Sequence, residues 1–277
     1  MHNVLILGGS GLLGKALINE MNKHNGFQIH ATYFENPSKL NKDRSIKLDI
    51  GDLTDVSNIL NTVKPQSVIS CLRGDYSKQL ILHTKIAEHL KETDGRLYFF
   101  STTNVFDKDL SKPYYEDDLP NSSTEYGQYK IACEKTLTEI LHDNVCILRI
   151  PQIWGKDSPR MNNLLGLLRK NEKVVVYPTL FSNTNTDIMV AKQLYYIIET
   201  NGKGVFHLCA EDVINQKDFC KELILGLGFR DSSMQENFEE GGYFALLSKR
   251  RNEFPERLRP TNKSVINYLI NSVSIGL

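Results

Sequence analysis

Val4-Leu5-Ile6-Leu7-Gly8-Gly9-Ser10-Gly11-Leu12-Leu13-Gly14 is the stretch from which the fold can be read. The apolar run at its start has the character of a strand buried on both faces. After the glycines, Leu12, Leu13, Ala16, Leu17 and Met21 recur at helical spacing. From Gly9 the turn fits G-x-G-x-x-G, and from Gly8 it also fits G-x-x-G-x-x-G. Glycine in such a turn allows a tight bend, close approach of backbone to a pyrophosphate, and close packing of helix on strand. The amino end of the helix then offers free N–H groups and a positive dipole end to the anion. A glycine triad alone also occurs in turns that bind nothing. With a strand before it and a helix after it, it points to a dinucleotide.

The alternation continues outward. Residues 29–34, 46–48, 67–71, 96–101 and 145–150 read as strands. Helical patterns over 56–63, 80–90 and 126–141 lie between them, the first closed by Pro65. Apolar strands alternating with helices predict an α/β fold of the Rossmann type: a doubly wound parallel sheet with right-handed crossovers. Residues 1–150 are expected to form the dinucleotide-binding domain. Residues 151–277 are expected to form mainly a small C-terminal substrate-binding lobe, interleaved with the first and not folding independently. Within that half the pattern predicts helices at 161–169, 188–200 and 217–227 and a strand at 205–208. It predicts loops around 178–186, a polar tail over 232–251, and a last short helix after Arg259-Pro260.

Lys+Arg and Asp+Glu both number 33, so the formal net charge is zero, which argues against nucleic acid and against an anionic membrane surface. The apolar runs are far too short to span a bilayer, and the chain opens on the fold itself rather than on a charged leader. Cys71, Cys133, Cys146, Cys209 and Cys220 form no CxxC pair, and several lie in strand-like runs. Buried, reduced thiols in a cytoplasmic protein are expected. No His/Cys/Asp cluster has metal-ligand spacing, so no metal is expected.

Tyr126-Gly127-Gln128-Tyr129-Lys130 opens the long helix, and residues four apart share a helical face. Tyr126 and Lys130 therefore converge, and a cation beside a phenol favours phenolate and brings its acid–base chemistry nearer neutrality. Tyr129 is the competing phenol, but its i+4 neighbour is Cys133. Ser101-Thr102-Thr103-Asn104 ends the fifth strand, where doubly wound sheets bind ligands; a hydroxyl there can orient a substrate oxygen, or simply cap a loop. At the end of the second strand, Thr32 lies nearer than Glu35 to the position of a ribose-binding acid, and Lys39 is a candidate for a 2′-phosphate. Asp49 suits the adenosine or a turn, and Arg73 a substrate phosphate or a pairing with Asp75. His207 reads as a packed or loop-facing histidine.

In combination these segments resemble the extended short-chain dehydrogenase/reductase superfamily, closest to its dTDP-4-dehydrorhamnose reductase-like (RmlD-like) branch. The resemblance covers nearly the whole chain. It is carried by residues 8–14, Leu48-Asp49-Ile50, Phe100-Ser101-Thr102-Thr103-Asn104-Val105-Phe106-Asp107 and residues 126–130. Further on it includes Leu148-Arg149-Ile150 ahead of Trp154-Gly155, then residues 184–188 and Arg259-Pro260. It implies an oxidoreductase in which a nicotinamide cofactor delivers hydride to a keto group on a nucleotide-linked sugar; the residues at the end of the second strand favour NADP over NAD. Thr102 would be the catalytic hydroxyl, Tyr126 the general acid that protonates the nascent alkoxide, and Lys130 the residue that binds the nicotinamide ribose. Cofactor contacts are implied at Gly8, Ser10, Gly11, Leu12, Leu13, Gly14, Tyr33, Asp49, Ile50, Cys71, Leu72 and Arg73, besides Tyr126 and Lys130. Substrate contacts are implied at Arg73, Thr103, Asn104 and Gln152.

The chain departs from the branch where Thr103-Asn104 replaces an Asp-Tyr pair and Gln152 replaces a tryptophan, with Trp154 two places on. Thr103-Asn104 also stands where the superfamily's 4,6-dehydratases carry Asp-Glu, which argues against dehydration. Two alternatives stand beside the reductase: a nucleotide-sugar epimerase, and a non-catalytic NADP-binding regulatory subunit. The expected partner is a small nucleotide-sugar, and a homodimer is compatible with the reading.

Overall fold

Alternate side chains of β1 (His2–Leu7) enter two different cores, as they must in a strand covered on both faces. Val4 and Ile6 join one core, Leu5 and Leu7 the other. The structure, a computed structural model, describes residues 1–38, 40–230 and 234–273. From β1 the chain continues through α1 (Leu12–Met21), β2 (Phe27–Tyr33), β3 (Ser45–Lys47), α2 (Leu53–Val63) and β4 (Ser67–Ser70). Then come α3 (Tyr76–Glu92), β5 (Arg96–Thr102), α4 (Glu125–Leu141), β6 (Val145–Ile150) and β7 (Gln152–Trp154). The second half contains α5 (Pro159–Arg169), β8 (Val174–Val176), β9 (Thr179–Ser182), β10 (Thr184–Thr186), α6 (Asp187–Glu199) and β11 (Gly204–His207). It ends with β12 (Ile214–Asn215), α7 (Gln216–Gly226), β13 (Met234–Glu236), β14 (Gly241–Phe244) and α8 (Asn262–Ser272).

Seven strands form one sheet in the order β11-β6-β5-β4-β1-β2-β3, every neighbouring pair parallel. Helices α1 and α6 cover one face, with Leu17, Val190 and Leu194 in their core. Helices α2, α3 and α4 cover the other, with Leu60, Leu82 and Leu137 in theirs. This is the Rossmann-type, doubly wound architecture. The chain order reverses between β1 and β4, so a crevice opens beyond the carboxyl ends of those two strands.

In the second half the expected helices and the strand at 205–208 are present, and the short strands differ from the reading of the sequence. The loops expected around 178–186 include β9 and β10, and the polar tail contains β13 and β14; residues 231–233 of that region lie outside the described residues. These strands are too short for a period of two to be legible. Pairing makes them strands: β10 with β7, β13 with β8, and β9 with both β12 and β14. The chain also returns to the large sheet after residue 150. β11 pairs with β6, and α6 packs with α1. A boundary at 150 therefore divides elements that share one core. The remaining lobe has its own core, where α5, α7 and α8 enclose Trp154 and Phe219.

The glycine loop is sealed into this fold from behind. A Cβ on Gly14 would run into the backbone of Gly8 and Gly9. That backbone is pinned, because Gly8 N donates to Thr32 Oγ1 at 3.1 Å and Gly9 N to Thr32 O at 2.8 Å. Gly14→Ala is expected to cost about 1–3 kcal/mol through overpacking. Urea unfolding should show a lower midpoint at an unchanged slope, and an unaltered midpoint would refute the close packing.

Asp187 opens α6 where the lobe meets the sheet, its carboxylate only 2.7 Å from where a Cβ on Gly155 would stand. Burial raises its carboxyl to about 6, and the charge of Asp157 adds to this. Oδ1 has no hydrogen-bond partner. A folded-state value above the unfolded one means the native chain holds the proton more tightly. Stability therefore falls as pH rises from about 4 to about 6. Thermal melts of Asp187→Asn should be flatter across that window and show a higher Tm than the native chain at pH 7; matching pH profiles would contradict this.

Candidate functional site

Each of α2–α8 begins with a side chain that accepts hydrogen bonds from its first turn: Asp52, Asp75, Thr124, Ser158, Thr186, Asn215 and Thr261. Among the described α-helices α1 alone lacks one. Its N-cap is Gly11, and no acidic residue lies in its first turn. A helix start without a cap leaves N–H groups and a partial positive charge that an anion satisfies. Space is available for one, because a Cβ on Gly11 would find only Gly8 O nearby, at 3.3 Å. Ser10, Leu12 and Leu13 are half-buried around this point.

The surroundings of the loop sort the remaining candidates. Thr32 is buried with its hydroxyl accepting from Gly8 N, so it builds the turn instead of meeting a ribose. Tyr33 is half-buried at the end of β2, with Phe34 and Glu35 exposed beyond it. Lys39 lies outside the described residues. Asp49 is exposed and accepts from Gly51 N at 2.8 Å, so one of its oxygens serves its own turn, and Ile50 packs on the α2/α3 core. Cys71 O lies 3.1 Å from where a Cβ on Gly8 would be, so the end of β4 forms the opposite wall of the crevice. Burial pushes the Cys71 thiol up to about 12, which keeps it protonated. Leu72 follows, half-buried, and then Arg73, exposed.

Thr102 and the start of α4 meet beside that crevice. Asp107 gathers the segment before the helix: its Oδ1 accepts from Ser122 Oγ and Ser123 N, both at 2.8 Å, and its Oδ2 from Thr124 Oγ1 at 2.5 Å. Gly127 lets the first turn close on the loop after β5, since a Cβ there would run into Ser122 Oγ and Asn104 O. Tyr126 is thereby placed close enough to the Thr102 hydroxyl for that group to act on its pKa. Thr102 Oγ1 also donates to Asn104 Oδ1 at 3.0 Å. Lys130 Nζ donates to Phe100 O at 2.8 Å, with the ring centroids of Phe99 at 4.5 Å and Tyr126 at 6.0 Å.

Electrostatics here correct one expectation. The Lys130 cation does not bring Tyr126 toward neutrality. Burial dominates and raises its pKa, with the Thr102 hydrogen bond and the Arg73 charge opposing in part. Burial also lowers Lys130, to about 8. Near pH 7 the site holds a protonated phenol beside an ammonium group. Tyr129, the competing phenol, is locked away: its hydroxyl donates to Gln79 Oε1 at 3.0 Å, and burial raises its pKa strongly.

The substrate candidates are not all brought together. Thr103 is buried and its hydroxyl donates to Ile150 O at 3.3 Å, on the side of β6, so it does not offer itself to a ligand. Asn104 and Gln152 are half-buried, the first bonded to Thr102 and the second opening β7. Arg73 forms no ion pair among the described residues. Asp75 instead caps α3, accepting from Ser77 Oγ at 2.6 Å and Lys78 N at 3.1 Å. The Arg73 charge acts on Tyr126, on Lys130 and also on Arg160. Arg160, in the first turn of α5, was not indicated by the sequence, because only tertiary packing brings α5 toward β4. Trp154 packs on Phe219 in the lobe core, with ring centroids 5.4 Å apart, and so is not a sugar-facing residue.

A sequence model of the RmlD substrate-binding domain matches residues 74–266. Among curated proteins the chain is 22% identical over 216 residues to a dTDP-4-keto-6-deoxy-D-glucose reductase of Streptomyces niveus, covering 73% of this chain and 71% of that protein. It is 30% identical over 168 residues to methionine adenosyltransferase 2 subunit beta of Xenopus tropicalis. That match covers 56% of this chain and 48% of the relative, about half its length. Among solved structures, a dTDP-4-dehydrorhamnose reductase of Bacillus anthracis in complex with NADP is similar at a TM-score of 0.82 and 19% identity, over 99% of this chain and 100% of that one. This last likeness is one of fold.

Proposed function

The chain belongs to the RmlD substrate-binding-domain family, and on that premise we propose that it is an NAD(P)-dependent reductase of a keto group on a nucleotide-linked sugar, with NADPH preferred. The observation that carries this reading is the uncapped amino end of α1, an anion site without an anion-mimicking side chain, beside Thr102, Tyr126 and Lys130.

Gly8, Ser10, Gly11, Leu12, Leu13 and Gly14 would hold the pyrophosphate against the α1 amides. Tyr33, Asp49 and Ile50 would flank the adenosine, and Cys71, Leu72 and Arg73 the middle of the dinucleotide. The bound cofactor supplies the hydride. Tyr126 donates its phenolic proton to the substrate oxygen, a role suited to a phenol that burial keeps protonated. Lys130 binds the nicotinamide ribose and stabilises the phenolate left behind, since an opposite charge nearby favours the ionised form. Thr102 orients the keto oxygen. Asn104 and Gln152 face the sugar, and Arg73 meets an anionic part of the substrate.

A second reading is favoured by one finding: the relative matched at 30% identity is the beta subunit of methionine adenosyltransferase 2. A regulatory subunit would bind the dinucleotide without turnover, and an epimerase would retain it without net oxidation. Titration of the purified chain with NADPH and NADH, repeated with dTDP-, UDP-, GDP- and CDP-linked keto sugars, separates these outcomes. Oxidation is expected with a dTDP-keto sugar; tight binding without oxidation of any of them would displace the reductase.

Tyr126→Phe should lower kcat by about 10²- to 10⁴-fold, the usual contribution of a positioned acid, and leave NADPH affinity nearly intact. Turnover retained in that variant would remove Tyr126 from the reaction. Gly11→Val should weaken NADPH binding by roughly tenfold or more, equivalent to about 1.4 kcal/mol, with at most a small fall in Tm. A Cβ there would meet only Gly8 O, at 3.3 Å. Unchanged affinity would place the phosphate site elsewhere.

A further inference from the structure

Helix α4 carries another polar residue beyond Tyr126 and Lys130, one turn further along the same face, for which the proposed reduction provides no task. Glu134 is 8% exposed, and its carboxylate is fully engaged. Ser101 Oγ donates to Oε1 at 2.5 Å, Arg149 Nε to Oε1 at 3.1 Å, and Arg149 Nη2 to Oε2 at 2.7 Å. Arg149, on β6, is 3% exposed. Its Nη1 donates to Glu116 O at 3.3 Å and lies 3.4 Å from His207 Nε2, while its guanidinium sits 5.0 Å above the Phe106 ring. Burial lowers His207 to about 4, so it is neutral. Its Nδ1 lies 2.9 Å from Leu247 O, which assigns the proton to Nδ1 and leaves Nε2 to accept from Arg149.

One face of α4 thus grips consecutive residues of β5. Lys130 binds Phe100 O, Glu134 binds Ser101 Oγ, and Tyr126 meets Thr102. A hydrophobic pair of similar volume would join helix to sheet at least as well as a buried Arg–Glu pair, whose desolvation offsets much of its attraction. A role beyond packing is therefore indicated.

The groups facing Lys130 show what that role is. Cys71 approaches from the end of β4, Arg73 from the loop after it, His83 from α3, and Cys133 and Glu134 from α4 itself. Burial raises the Cys71 and Cys133 thiols to about 12 and about 11, and lowers His83 to about 3, so all three are uncharged near neutral pH. Arg73 opposes the ammonium. Among the described residues facing Lys130, the Glu134 carboxylate of the Arg149 ion pair is the group whose charge favours the ammonium.

We propose that Glu134, clamped by Arg149 and Ser101, is a positioning residue that fixes the rotation of α4 on β5 and supplies the counter-charge for the Lys130 ammonium. This rests on Lys130 being the reactive lysine of the proposed reduction. Arg149 holds the carboxylate in place.

The test follows the Lys130 Cε resonance through a pH titration of the full chain labelled with ¹³C-lysine, the signal being assigned by its absence in Lys130→Met. In the native chain the midpoint is expected near pH 8. Glu134→Gln should lower the proton affinity of Lys130 about tenfold or more. Glu134→Asp, which restores the charge, should return it most of the way. The double variant Glu134→Gln/Arg149→Met leaves neither member of the ion pair unpartnered, so it carries the test if the single variant does not fold, and the midpoint should fall there as well. Direction is decisive. If the pair only packed the helix, loosening it would hydrate Lys130 and raise its midpoint toward that of a free lysine. A raised or unchanged midpoint in both Gln variants would overturn the proposal. The measurement needs neither cofactor nor turnover, so a native chain that reduces no keto sugar would sink the proposed reaction without touching this result.

Discussion

A parallel sheet buried on both faces constrains everything else in this molecule. Each strand has to be rejoined from its far end, so the crossovers carry helices, the short link from β2 to β3 excepted, and the carboxyl ends of all seven strands lie along one edge. Two cores form back to back, fed by alternate residues of the same strands, as with Tyr98 and Phe100 on one side of β5 and Leu97 and Phe99 on the other. Such packing leaves the strand ends as the place where polar groups can gather. At the reversal between β1 and β4 the glycine loop and the end of β4 come into contact, backbone to backbone, and the crevice opens between them.

Within that crevice polar groups are held by burial as much as by hydrogen bonds. Desolvation raises Tyr126 and lowers Lys130, so both are displaced toward their neutral forms. The phenol is thereby kept as a proton donor, while the lysine depends on nearby negative charge to stay ionised. Helix α4 serves as the ruler for both, since its first turn is seated by Gly127 and its next turns are tied to Phe100 and Ser101. An error in the rotation of that helix would displace phenol and ammonium together.

The family membership and the departures from it bear on different parts of the molecule. The glycine loop, Thr102, Tyr126 and Lys130 agree with the pattern of the branch. The departures fall at the rim, at Thr103-Asn104 and Gln152, and there the fold has turned Thr103 inward onto Ile150. Arg73 and Arg160 bring two guanidinium groups near that rim, at a place where the Arg73 charge is not cancelled by any ion pair among the described residues.

What the sequence determined by itself is the repeating order of strand and helix, the glycine turn and the pairing of Tyr126 with Lys130. All of these are written in local periodicity, with spacings of two, three or four residues that backbone geometry converts directly into faces. The tertiary structure decided the rest. Thr32 became part of the turn because Gly8 N needed an acceptor. The strands of residues 174–186 exist because partners far along the chain pair with them, and β11 completes a sheet begun some two hundred residues earlier. Tyr126 was expected to be acidified by its lysine and is instead raised by burial. The Glu134–Arg149 pair, joined across helix and strand, has no local signature at all. Desolvation and long-range pairing depend on what the rest of the chain places around a residue, and no window of sequence contains that information.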